Sequence, residues 1–520
     1  MAGETDDLSA NFALVAQQYD ELPYNSQPFS RTHPLRLAAI ARLFGLDAPP
    51  MAGARVLELG CAAGGNIIPI AALYPDTQFL GIDLGRRQVD DGQARIARLG
   101  LTNIEIRCES ITDLPADAGQ FDYIISHGVY SWVPPTVRDA MLAVTARHLS
   151  PTGVAYVSYN VEPGWHLYKP LRDAFRLLIP DNLGPAERVR MARELMLFMK
   201  QQSPDTGIYG QMLRASPGRL ADLGDDYIFH EYMEDTNEPS AFRDFAMEAE
   251  KHGLAYLADS DLDYLLPENF GPEFAKQLRA KTSDDLISIE QMLDVLTGRT
   301  FRRSLLVHKA VAPELVRELE PASIERLHFM AAQTMTLSRE GTKVTLTDGQ
   351  GRTLTSHETP VAKALERLLA ALPGSISFDE CAKGFRGRNR FLVSEAMYKV
   401  VIAGILDVAA EPIRAGQVSD RPRAFAVARD DVARGEEITV NVRHDRVRLD
   451  PVARILIPAL DGSKDHSALE KLLSDAALTG RLQFRQNGVA EHDPDKLRLA
   501  ARQILPGALI GLAESGVLLP

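Results

Sequence analysis

The 520-residue sequence predicts an α/β fold: a Rossmann-like sheet of β/α repeats with a helical insertion, followed by α+β winged-helix-like C-terminal modules. Three observations predict it. The stretch Arg55–Asn66, RVLELGCAAGGN, reads as a buried strand running through a glycine turn into a helix. A second apolar run, Gln78–Leu84, carries Asp83 near its end, 23 residues beyond Gly60 and close to the roughly 20 expected of a ribose-binding carboxylate. Runs at Ile104–Ile111, Phe121–His127 and Gly153–Asn160, alternating with helices near 65–73, 85–99 and 136–148, complete five β/α repeats.

In chain order, an acidic tip precedes a helix at about Leu8–Tyr19. Pro23, Pro28 and Pro34 then interrupt regular structure, and Tyr19, Tyr24 and Phe29 give this loop three aromatic rings, fit either for a lid or for a plug at the sheet edge. In the glycine turn, Val56, Leu57 and Leu59 supply the buried strand, while Gly60, Gly64 and Gly65 bring main chain close to a ligand. The spacing Gly60, Ala62, Gly64 departs from the dinucleotide fingerprint G-x-G-x-x-G, and Glu58 is a second departure. A phosphate is drawn to free amides at a helix start, whereas an ammonium needs an acceptor such as Glu58. The ligand expected here is therefore not a pyrophosphate but one with a positive amino-acid head. It would lie where strand C-termini meet at a chain-order reversal.

Composition bounds the rest. The chain is long enough for about three domains, and 45% hydrophobic with 24% charged residues is ordinary globular content. A net charge of −13 disfavours nucleic acid as the main partner, because phosphate binding needs clustered Lys and Arg. Cys61, Cys108 and Cys381 show no C-x-x-C spacing, so no cysteine metal site and a reducing compartment are expected. Neither a signal peptide nor an apolar run of membrane-spanning length is visible, which predicts a cytoplasmic protein without membrane insertion.

The loop Glu58-x-Gly60-x-x-x-Gly64 resembles the first motif of class I S-adenosylmethionine-dependent methyltransferases. A narrower resemblance comes from YDELPYNSQPF, THPLRLAAIARLFGL, HGVYSWVP at 127–134 and SYNVEPGWH at 158–166. These phrases resemble bacterial methyltransferases carrying a methyltransferase regulatory domain, a group that includes the rickettsial outer-membrane-protein lysine methyltransferases. The resemblance implies S-adenosylmethionine as donor, S-adenosylhomocysteine as product, no metal, and protein lysine as acceptor. It implies cofactor contacts at Tyr24, Glu58, Gly60, Cys61, Gly64, Asn66, Asp83, Leu84, Glu109, Ser110, Ile111 and His127.

HGVYSWVP follows the fourth strand, from which class I enzymes face their acceptor. Tyr130, Trp132 and Asn160 are the candidate substrate-pocket residues: Tyr130 and Trp132 with His127 and Ser131 on one side, and Asn160 with Glu162, Trp165 and His166 on the opposite wall. Either tryptophan alone would equally suit loop packing. Helical sequence from 165 to 235 then delays the rest of the seven-stranded sheet that the resemblance implies: 242–262 reads as a helix and the sixth strand, and 300–310 as the antiparallel seventh. HEYMEDTNEP at 230–239 reads as a structural charged loop.

The expected organisation is a lid at 1–48, a cofactor core at 49–164, a helical cap at 165–235, closing sheet and regulatory region at 236–311, and winged-helix-like modules at 312–415 and 416–520. A weak internal repeat relates the two modules, each a strand pair followed by three helices. Lacking a basic stripe, they are expected to contact protein or to pair copies in a homodimer. Two other readings stay open: a small-molecule methyltransferase with a regulatory C-terminal half, and a non-catalytic cofactor-binding regulator.

Overall fold

The computed structural model describes residues 26–520 apart from 205, 221, 222, 235, 265, 487 and 488. The expected N-terminal helix, Tyr19 and Tyr24 lie outside the described residues. The described chain begins with a strap over 26–33, capped into helix α1 (Pro34–Leu43) by His33, whose ring accepts from Leu35 N. The central sheet then forms from β1 (Arg55–Leu59), β2 (Gln78–Asp83), β3 (Ile104–Cys108), β4 (Phe121–Ser126) and β5 (Leu149–Glu162). Helices α2 (Ile67–Leu73), α3 (Arg86–Leu99) and α4 (Pro135–His148) connect them.

Period-two alternation decides which side of β1 meets which layer. Val56 packs into a core with Leu37, Ile40 and Ile70, whereas Leu57 and Leu59 face Met141, Leu142 and Phe245 across the sheet. Glu58 shares the Val56 side and sits at the strand's C-terminal end, which places a carboxylate at the mouth of the sheet.

After β5 come α5 (Lys169–Leu178), α6 (Pro185–Gln202), α7 (Ile208–Leu220) and α8 (Asp225–Met233). Leu171, Phe175, Val189, Ala192, Ile228 and Phe229 give this helical cap its own apolar core. The sheet resumes with the short β6 (Ser240–Ala241) on β5, then α9 (Phe242–Lys251), β7 (Leu254–Asp259), α10 (Pro272–Lys281), α11 (Leu286–Thr297) and β8 (Phe301–His308). The order is β3-β2-β1-β4-β5-β8-β7, parallel through β5, with β8 antiparallel to both neighbours. Chain order reverses between β1 and β4, where such sheets hold ligands.

β8 carries the buried Arg302, which is 0% exposed. It donates to Asp294 at 2.7 Å and to Glu290 at 2.9 Å, both on α11.

Two α+β modules follow. In the first, helices Thr359–Ala370, Phe378–Cys381 and Arg388–Ile402 pack beside the strands His328–Met330, Ile376–Ser377 and Asp407–Ala409. In the second, the hairpin Ile438–Val440 and Arg446–Arg448 precedes helices Pro451–Leu456, His466–Leu478 and Pro494–Glu514. Both dock on the sheet domain through ions: Asp407 pairs with Arg31 and Arg36, and Asp430 with Arg95 and Arg98. No helix among the described residues is long and apolar enough to cross a membrane.

Candidate active site

The β1 turn shapes the site. Gly60 has φ +74°, and a Cβ there would come within 2.5 Å of the Val129 side chain. A Cβ on Gly65 would meet the Ser26 carbonyl at 2.2 Å, because the strap crosses directly over the turn. Gly65 N donates to Ser26 Oγ at 2.7 Å, and Phe29 N donates to Asn66 Oδ1 at 3.0 Å.

Beneath the strap opens a cavity of about 820 Å³. Its cofactor-side wall holds Glu58, Gly60, Cys61, Asn66, Asp83, Leu84, Glu109, Ser110, Ile111 and His127. Gly64 does not line it; with φ +71° it closes the turn from behind against Ile68 and Ile106. Tyr24 lies outside the described residues.

Of the three candidate acceptor-side residues, Trp132 and Asn160 line the cavity. Tyr130 corrects the sequence reading. It is 0% exposed and turned into the core, its ring against Tyr159 and Phe245 and its hydroxyl donating to Glu248. The helical turn Tyr130–Trp132 sends consecutive side chains in different directions, so only one of its two aromatics can reach the cavity. Trp165 joins the lining, whereas Glu162 accepts from His166 at 3.1 Å away from it.

Several lining residues carried no sequence signal. Tyr168 and Trp165 lie 5.2 Å apart by ring centroid, and Tyr232 stacks on Trp165 at 6.3 Å. The charged stretch at 230–239, read as a structural loop, instead begins in α8 and brings Glu231 to the cavity wall. Asn160 Nδ2 donates to Glu231 Oε1 at 3.4 Å and to Asn237 Oδ1 at 3.2 Å. His444, 378 residues from Asn66 in the chain, also lines the cavity.

The electrostatics separate two ends. Glu58 is 3% exposed, and burial pushes its carboxyl up to about 8. Its Oε1 accepts from Asn66 Nδ2 at 2.7 Å, and Oε2 has no hydrogen-bond partner among the described residues. Asp83 accepts from Ala62 N and Gly85 N, each at 2.8 Å, and burial still raises its pKa. Burial pushes His127 down to about 3, so its ring is neutral, with the Tyr156 and Ser158 hydroxyls at 2.9 and 3.1 Å from Nδ1. Burial likewise drives the Cys61 thiol far above its ordinary range, which makes it an inert wall. At the other end, desolvation lifts Glu231 to about 7.

These residues fit S-adenosylmethionine. A buried carboxylate with one unsatisfied oxygen is costly alone and suits an ammonium. A carboxylate clamped by two amides at the tip of β2 presents its remaining lone pairs to a diol. Among the described residues no group of three or more His, Cys, Asp or Glu is placed to hold a metal ion.

Comparison with known proteins agrees with this geometry. Residues 56–153 match a methyltransferase domain, 224–308 a "predicted methyltransferase regulatory domain", and 420–517 the "PKMT, C-terminal winged helix domain". The protein RP789 of Rickettsia prowazekii is 31% identical over 501 residues, which span 92% of this chain and 90% of the relative. RP028 of the same organism is 35% identical over 240 residues, 46% of this chain and 96% of that one. The structure of PKMT2 from Rickettsia typhi superposes with TM-score 0.85 at 25% identity, covering 96% of this chain and 100% of that one. A second structure of PKMT2, in complex with AdoHcy, superposes equally well.

The chain belongs to the S-adenosylmethionine-dependent methyltransferases with a regulatory domain and a PKMT winged-helix domain. In this methyltransferase the matched regulatory segment contains α8, so Glu231 and Tyr232 belong to that segment, while Glu58 and Asp83 belong to the methyltransferase domain.

Proposed function

We propose that this methyltransferase transfers methyl groups to lysine side chains of a protein substrate. The observation that carries the reading is the aromatic chamber of Trp132, Trp165, Tyr168 and Tyr232 with Glu231 in its wall, open to the cofactor cavity. Bound S-adenosylmethionine supplies an activated methyl group and a neutral sulfide leaving group. What the protein must add is alignment and a neutral nucleophile.

A lysine amine with pKa near 10.4 arrives protonated at pH 7. Aromatic faces accommodate the ammonium, and a carboxylate whose pKa lies near the operating pH is placed to take its proton. Asn160, buried and donating to Glu231, holds that carboxylate toward the chamber. Loss of that proton would leave the amine lone pair free to accept the methyl group of a bound donor. Glu58 and Asp83 would hold the donor at the far end of the cavity, where Glu109, Ser110 and Ile111 also line the wall.

The PKMT designation of the structural relative and of the matched C-terminal domain supports lysine as acceptor. Three free cysteines among the described residues are consistent with work in the cytoplasm. In this reading 49–164 form the cofactor core, 165–235 the cap, 236–311 the closing sheet, and 312–415 and 416–520 hold the substrate polypeptide, while the first half of the lid expected at 1–48 lies outside the described residues.

The test is to incubate the full chain with methyl-labelled donor and a cell extract, then hydrolyse the protein fraction to amino acids. Label in methylated lysine is expected. Label confined to small molecules, or to other amino acids, contradicts the proposal.

A further inference from the structure

The hairpin of the second C-terminal module reaches back across the whole chain to the cofactor cavity. Its tip is clipped by Asn441, whose side-chain oxygen accepts from Arg443 N and Asp445 N, each at 2.9 Å, and whose Nδ2 donates to Ser515 O at 2.9 Å. That clip holds His444 at φ +66°, a left-handed conformation that a non-glycine residue keeps only where its surroundings enforce it. The side chain is 1% exposed and wedged beside His33, with ring centroids 5.8 Å apart.

His444 Nε2 lies 2.8 Å from Asn66 Oδ1. The same oxygen accepts from Phe29 N at 3.0 Å and from Thr32 Oγ1 at 3.1 Å. With its oxygen so occupied, the Asn66 amide has one orientation, and its nitrogen must donate to Glu58 Oε1. Nε2 is accordingly the protonated ring nitrogen, and burial keeps the imidazole neutral. The neighbours Asp445 and Arg446 also face the cavity. The module is pressed onto the sheet domain behind this contact, where Arg95 on α3 binds Asp430 at 3.2 Å and also pairs with Asp431.

We infer that the C-terminal winged-helix module is a working wall of the cofactor site, with His444 as a positioning residue that fixes Asn66 and through it Glu58. The inference rests on the assignment of this cavity to S-adenosylmethionine. It has a thermodynamic corollary: if module docking strengthens cofactor uptake, cofactor must by reciprocity strengthen docking. A module about 380 residues downstream of the glycine turn would then report on donor occupancy, whatever else it binds.

The test is calorimetric titration of S-adenosylhomocysteine into the full chain. H444G removes the ring without adding left-handed strain. H444Q keeps a side-chain N–H donor. Removing one partner of a buried hydrogen bond predicts a dissociation constant about ten- to one-hundred-fold higher for H444G, with H444Q recovering to within about threefold of wild type. A parallel measurement needs no variant: S-adenosylhomocysteine should slow amide hydrogen exchange over 441–445 in the wild-type chain.

H444G binding within twofold of wild type, H444Q no better than H444G, or unchanged exchange at 441–445 would each overturn the inference. E58Q separates the two levels. If E58Q loses affinity while H444G does not, the cavity assignment stands and His444 is idle. If neither does, the assignment itself fails.

Discussion

Glu58 and Asn66 are joined by one 2.7 Å hydrogen bond across the glycine turn, and that bond is the sole satisfaction of the buried carboxyl among the described residues. The turn thus holds a group whose second oxygen needs a cation. Much of the chemistry expected of the protein follows from that shortage.

Glu58 should release a proton when cofactor enters. Burial raises its pKa from 4.5 to about 8, so the folded protein holds this proton more tightly than the unfolded chain does. Its contribution to stability is therefore full below about pH 4.5 and lost as pH rises through about 8. A bound ammonium reverses the preference and favours the carboxylate. Titrating S-adenosylhomocysteine at pH 6.5 in buffers of different ionisation enthalpy should show release approaching one proton, absent in Glu58→Gln. Equal heats in all buffers would contradict it.

If Glu231 takes the proton as proposed, it should set the pH profile of methyl transfer. With its pKa lifted to about 7, the carboxylate needed to accept a proton appears only as pH rises through that value. kcat/KM should climb across pH 6–8, and Glu231→Gln should lower it about 10²- to 10⁴-fold at pH 7 and abolish that inflection. An unchanged inflection in the variant would remove Glu231 from the reaction.

Tyr130 should matter for stability and not for turnover. Its ring is buried against Tyr159 and Phe245, and its hydroxyl donates to the exposed Glu248 at the edge of that packing. Tyr130→Phe should cost about 1 kcal/mol in denaturant unfolding and leave kcat/KM within about twofold of wild type. A tenfold loss of kcat/KM with intact folding would return Tyr130 to the acceptor site.

Arg302 should be among the most destabilising positions to truncate. It is fully buried and holds Asp294 and Glu290, so Arg302→Ala strands two buried carboxylates. Loss of about 3–5 kcal/mol is expected from the shift in the urea midpoint. A loss under 1 kcal/mol would show that water or repacking replaces the guanidinium.

The sheet was legible because its signals are local. Val56, Leu57 and Leu59 before a glycine turn, and Asp83 at the end of a second apolar run, need only neighbouring residues to be read. The delayed strands were legible for the same reason, and β8 ends at His308. Side-chain direction was not. Tyr130 and Trp132 share one phrase, and only the packing of Phe245 and Tyr159 decides that Tyr130 turns inward. Glu231 was hidden because a charged run such as HEYMEDTNEP is usually a solvated face, and its burial depends on the fold of the cap against Asn160. His444 could not be found at all, since no pattern near it in the sequence marks a contact with Asn66, 378 residues away.

The most direct measurement is calorimetric titration of S-adenosylmethionine into the wild-type chain and into the double variant Glu58→Gln, Asp83→Asn. Removing two buried charge-assisted contacts, each contributing roughly 1.5–3 kcal/mol, should weaken uptake at least about a hundredfold. No uptake by the wild type, or uptake undiminished in the double variant, would contradict the assignment of this cavity as the donor site.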